Sequence, residues 1–114
     1  MYLNFKKFEV TEMVNMRGGK NTVYIRKAPY LLDNMKMYAE ITIPNGASIG
    51  MHSHEEDEEI ITVLSGKGLL KTSEIEGIPF EKGDISLTKK GRYHSIENNE
   101  QEDLVLLAVI NFLK

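Results

Sequence analysis

The chain has 114 residues, 41% of them hydrophobic and 27% charged, with a formal net charge of −3. That length suits one domain, residues 1–114, with a core of its own, and the mild acidity without any basic run argues against a nucleic-acid partner. Cysteine is absent, which excludes a disulfide framework and thiolate zinc sites and fits a cytoplasmic protein.

The chain opens on Met1–Val14, mixed and charged rather than signal-like, which reads as an edge strand or a short helical turn. Strand segments follow at Thr22–Lys27, Lys36–Ile43, Glu59–Leu64, Gly68–Thr72, Asp84–Thr88, Tyr93–Glu97 and Asp103–Asn111. Turn signals separate them at Arg17–Gly19, Pro44–Gly46, Ser65–Gly68, Glu76–Pro79, Glu81–Gly83, Lys89–Gly91 and Asn98–Glu102. In Lys36–Ile43 one face carries Met37, Ala39, Ile41 and Ile43, and the other Lys36, Tyr38, Glu40 and Thr42. That alternation is the mark of a half-buried strand. Asp103–Asn111 is apolar on both faces, so it is either central or covered by another layer such as a second subunit. Short strands at close spacing predict an all-β sandwich or barrel. No apolar run approaches the ~18–20 residues of a membrane span.

The chain has three histidines, and all fall in one pattern. His52 and His54 are alternate residues, so on a strand both point the same way. Glu59 lies an odd number of residues beyond His54, so an unbroken strand would face it the wrong way. A bend at Glu55-Glu56-Asp57 resolves the parity and starts a returning strand with Glu59, Ile61 and Val63 on one face. Glu58 is the rival carboxylate. Lys89-Lys90-Gly91-Arg92 forms a second turn with glycine at the position needing positive φ, and it delivers His94 to the face of Ile96. Neutral imidazoles with a carboxylate are a transition-metal donor set. The other chemistries leave no trace: the chain has no glycine-rich nucleotide loop and no Ser/His/Asp or Cys/His arrangement. Arg92 shares the parity of His94 and is a candidate for gripping a substrate carboxylate or phosphate. Tyr24 and Arg26 share one strand face and are candidates for the barrel mouth.

These residues resemble the two motifs of the cupin superfamily, which are small jelly-roll β-barrels. Gly46, His52, His54, Glu59 and Gly66 match every fixed position of the first motif, and Gly83, Gly91, His94 and Asn98 match the second. Lys89 stands where the family usually has proline, which bears on loop rigidity at ~0.4–1 kcal/mol and not on the ligands. Within the chain the motifs run from residue 46 to 98, and Arg17-Gly18-Gly19 is similar to a segment that precedes the barrel in small single-domain bacterial cupins. The resemblance implies one divalent metal ion, Zn, Fe, Mn or Ni, on His52, His54, Glu59 and His94, with a small organic molecule beside it. It implies either an enzyme (an oxygenase with Fe²⁺, or a Lewis-acid isomerase or lyase) or a non-catalytic binding or sensing module with a structural metal. It also implies a homodimer, with residues 1–20 at the interface.

Overall fold

The computed structural model describes residues 1–113. Among them lie ten strands: β1 (Val10–Val14), β2 (Thr22–Lys27), β3 (Met35–Ile43), β4 (Ser48–Ser53), β5 (Asp57–Ser65), β6 (Lys67–Thr72), β7 (Ile78–Glu81), β8 (Ile85–Thr88), β9 (Tyr93–Glu97) and β10 (Leu104–Phe112). They form two sheets, one six-stranded in the order β1-β2-β3-β10-β5-β8 and one four-stranded in the order β4-β9-β6-β7. Neighbours pair antiparallel throughout both. The fold is all-β, as the strand spacing predicts, and a jelly roll, as the resemblance implies.

Period-2 alternation sets which residues face inward. From the six-stranded sheet Val23, Ile25, Ala39, Ile41, Ile43, Ile61, Val63, Leu104, Leu106 and Ala108 point into the core, where Ile49, Leu70, Phe80 and Ile96 of the smaller sheet meet them. Burying one such aliphatic or aromatic side chain contributes roughly 1.5–3 kcal/mol. The two-sided apolar strand β10 is central, between β3 and β5. Its outer residues Val105, Leu107 and Val109 are only half-buried, which explains why both of its faces are apolar.

Two segments depart from the reading by sequence, and a third, the opening one, fulfils both of its alternatives. The opening segment holds both candidate structures, a 3₁₀ turn at Phe5–Lys7 followed by the edge strand β1. Ser48–Ser53 is a full strand that propensity missed, because Gly50 and two serines dilute its β character. Glu76–Pro79, read as a turn, ends inside β7. Pro79 is tolerated there because β7 is the edge of its sheet and pairs only with β6. Two glycines fix the loop before β2 against β4. A Cβ on Gly19 would strike the carbonyl of Ser48, and a Cβ on Gly50 would strike the carbonyl of Arg17. No helix among the described residues is long and apolar enough to cross a membrane.

Candidate metal centre

The site joins the two sheets. Strands β4 and β9 pair with His52 opposite His94, after a register shift between Ile49 and His52. His54 follows β4 directly, held by its own N–H donating to the Arg92 carbonyl at 3.1 Å and its carbonyl accepting from Gly91 N–H at 2.7 Å. Gly91 takes φ +80, and Arg92 N–H closes the turn onto the Lys89 carbonyl at 3.0 Å. The turn therefore forms with lysine in place of proline. Asn98 ends the second motif as a buried clamp, donating to the carbonyls of Ile43 and Glu102 at 2.8 Å each.

The chain bends at Glu55 and Glu56 and returns as β5. On that strand Asp57, Glu59, Ile61 and Val63 are buried while Glu58 is exposed. Glu59 Oε1 lies 3.1 Å from both His54 Nε2 and His94 Nε2. His94 Nε2 is 3.3 Å from His54 Nε2 and 3.2 Å from His52 Nε2. Ligand atoms of His52, His54, Glu59 and His94 all lie within 4.8 Å of one another, a group that could hold a metal ion. Atoms bound at ~2.0–2.1 Å to one common ion are themselves ~2.8–3.0 Å apart at octahedral right angles and ~3.3–3.4 Å apart at tetrahedral ones.

Each imidazole is fixed from behind. His52 Nδ1–H donates to the Gly50 carbonyl at 2.8 Å, and His54 Nδ1–H donates to Asp57 Oδ1 at 2.6 Å. His94 Nδ1 lies 2.8 Å from the Thr88 hydroxyl. With the Nδ1 positions occupied, the Nε2 lone pairs turn toward one point. Three lone pairs and a carboxylate oxygen facing one another are repulsive unless protons or a cation sit among them, so the donor set fits a metal ion. Lys36 Nζ in turn holds Asp57 Oδ2 at 2.7 Å and lies 5.6 Å above the Phe112 ring.

The electrostatics follow the same contacts. Burial pushes the Glu59 carboxyl up, but hydrogen bonds from His54 and His94 outweigh it and hold the group at about 2. The hydrogen bond to Glu59 raises His54 above its ordinary value, against the lowering effect of burial and with further help from Asp57. Burial lowers His52, and the Gly50 hydrogen bond only partly offsets it. Asp57 is pushed up by burial and more strongly down by Lys36 and His54.

The four histidine and glutamate candidates thus come together at one side of a cavity of about 1010 Å³. The three candidate substrate contacts do not join them. Arg92 is exposed and reaches Glu74 at 3.7 Å, because it sits at the outer end of the β8–β9 turn. Tyr24 and Arg26 stand on the outer face of β2, where Arg26 meets Glu40 at 3.5 Å and donates to the Phe8 carbonyl at 3.1 Å. The strand's other parity carries Ile25 into the cavity wall. Sequence reasoning also missed Asp57, Thr88 and Lys36. Asp57 was legible, since it shares parity with Glu59. Thr88 and Lys36 become visible only once β8 and β3 are paired in register.

The cupin-domain family pattern matches residues 39–110. The chain is a cupin. It is 36% identical over 102 residues to a Thermotoga maritima protein named oxalate-binding protein, covering 87% of this chain and 84% of that one. It is also similar to the crystal structure of a predicted oxalate decarboxylase from Thermotoga maritima, with a TM-score of 0.91, 33% identity and 99% and 100% of the two chains covered. A putative sugar phosphate isomerase from Acidithiobacillus ferrooxidans superimposes with a TM-score of 0.64 at 34% identity, over 72% of this cupin and 53% of that chain.

Proposed function

We propose that this cupin binds one divalent metal ion through His52, His54, His94 and Glu59, and holds a small organic carboxylate on that ion. The observation that carries the reading is the convergence of the His54 and His94 Nε2 atoms on one Glu59 oxygen, with His52 Nε2 beside His94 Nε2 and the Nδ1 atoms engaged from behind. The resemblance to a protein named for oxalate binding supports a carboxylate as the ligand. An octahedral ion held by these four residues would keep room for an external ligand, and a divalent ion there would supply a Lewis acid that polarises a ligand oxygen. The protein's own contribution is to present neutral imidazoles and an ionised carboxylate. The lowered basicity of His52 and the depressed Glu59 favour those charge states near neutral pH, while His54, raised by its hydrogen bond to Glu59, gives up its proton when an ion binds.

The same reading includes a homodimer. Every residue of β1 is exposed, including Val10, Met13 and Val14, and β1 has β2 as its one partner strand. Metal analysis of the purified protein, followed by oxalate titration with and without chelator, tests the site. About one equivalent of metal, and oxalate binding lost on chelation, is the expected result. Oxalate binding indifferent to the metal refutes it. Substrate turnover by the metal-loaded protein then separates an enzyme from a binding module.

A further inference from the structure

We propose that the ligand of this site is a carboxylic acid with an oxygen on the adjacent carbon and an apolar side chain beyond it, a 2-oxo or 2-hydroxy acid larger than oxalate. The inference rests on the metal-site reading above and concerns what fills the rest of the cavity.

Size comes first. The cavity measures about 1010 Å³, the upper end of the roughly 300–1,000 Å³ that takes drug-sized ligands. Two joined carboxylates on the ion fill a small part of it. The depth has a cause in the strand register. Across β3, β10 and β5, Met37, Ile110 and Glu59 form one inward row at the level of the candidate metal ligands. The next row inward is Ala39, Ala108 and Ile61, and the one after is Ile41, Leu106 and Val63. The two alanines of the middle row are small and fully buried, and Ile61 is the member of that row that lines the cavity. Ile41 and its neighbour Ile25, from the deeper row, line the cavity together with Ile49, Ile61 and Ile96.

Polarity comes second. Water is held poorly in a space walled by isoleucines, so an apolar group occupies it at a gain. Charge comes third. A ligand with a second, distal carboxylate needs a cationic partner away from the ion. Arg17 and Lys27 reach the cavity only as exposed residues, beside the equally exposed Glu9, Glu55 and Glu56, so no free cation stands in its buried part; Lys36 is already held by Asp57, and Arg92 lies outside. The anionic end therefore belongs at the ion and the far end is apolar.

The test is calorimetric titration of the Mn²⁺-loaded protein with straight-chain 2-oxo acids from 2-oxopropanoate to 2-oxooctanoate, with oxalate as reference. Kd is expected to fall about threefold to fourfold for each added methylene, and the longer acids to bind more tightly than oxalate. Met37→Gln, which puts an amide on the wall, should weaken the longest acid about fivefold more than it weakens oxalate. A Kd that stays level or rises with chain length overturns the proposal while leaving the metal site standing. Equal binding of oxalate and 2-oxopropanoate to metal-free and metal-loaded protein overturns the metal reading itself, and this inference with it.

Discussion

Removing the Asp57 carboxylate should weaken metal binding although Asp57 is not among the four proposed ligands. Its Oδ1 accepts the His54 Nδ1–H at 2.6 Å and its Oδ2 takes Lys36 at 2.7 Å, and the residue is buried. In Asp57→Ala the ring keeps Nε2 on the ion only by leaving Nδ1–H buried without a partner. That costs about 1–3 kcal/mol, or roughly 5- to 150-fold in affinity. Without the ion the ring is free to turn or change tautomer, so the loss falls mainly on the metal-bound state. One effect opposes it: Asp57 also helps hold a proton on His54 in the metal-free protein, and losing that competitor recovers part of the affinity. The expected loss is therefore on the order of tenfold, within the range seen when partners behind a metal-bound histidine are removed. Asp57→Asn keeps an oxygen that accepts from Nδ1–H and should lose less. Lys36→Met should lose least, because Lys36 is 46% exposed and its charge is screened. The assay is competition for Zn²⁺ or Mn²⁺ against a chromophoric chelator, with thermal unfolding of the metal-free variants as a control on folding. An Asp57→Ala affinity within threefold of the parent, in a protein of unchanged stability, would refute the positioning argument.

Glu59→Gln should lower metal content clearly more than Glu58→Gln, since Glu58 points to solvent; elemental analysis of the two variants checks it, and a reversed order would shift the hairpin register by one residue. In the metal-free protein Glu59 titrates at about 2 instead of 4.5, so its stabilisation is complete above 4.5 and is lost as pH falls from there toward 2. His54 is raised above 6.5, so its stabilisation is complete below 6.5 and is lost as pH rises through the raised value. Unfolding midpoints should therefore peak between those limits without metal, and metal affinity should climb as pH rises past 6.5 and the His54 proton leaves; an affinity independent of pH there contradicts the site. Light scattering at micromolar concentration should give twice the monomer mass of 13.0 kDa, and deletion of residues 1–14 should weaken the pair while sparing metal binding. Gly50→Ala should destabilise by about 1–3 kcal/mol in chemical denaturation, because its Cβ meets the Arg17 carbonyl and backbone must shift.

Much of the fold was legible because most strands are half-buried and announce it by alternation. Met37, Ala39, Ile41 and Ile43 fall on one face in the sequence and face inward in β3. The failures share a cause. Ser48–Ser53 carries few β-forming residues; its strand exists because it pairs with β9 and lies against the Arg17–Gly19 loop, and both partners are distant in sequence. Likewise Ile78 and Pro79 read locally as a turn and become strand only through pairing with Leu70 and Leu69. Where tertiary pairing supplies the stabilisation, local propensity is silent.

The candidate ligands were legible for a different reason, which also marks where legibility stops. Side-chain parity along a single strand is a local quantity: it places His52 with His54 and forces a bend before Glu59, and carried one step further it pairs Asp57, read as part of that bend, with Glu59. Which strand lies opposite is not local. Tyr24 and Arg26 have one shared parity and Ile25 the other, and the choice of inward face was decided by the β2–β3 register that sets Ile25 against Ile41. Burial then selects the apolar member, because an unpaired arginine inside the barrel is too costly to desolvate. The same argument predicts what a change of parity would do. Deleting one residue between Ala28 and Asn34 leaves the β2 register free to be kept, since the loop absorbs the loss. Deleting one residue within Thr22–Lys27 either moves Arg26 into the core or breaks pairing with β3, so that variant should fail to fold while the loop deletion stays soluble and folded.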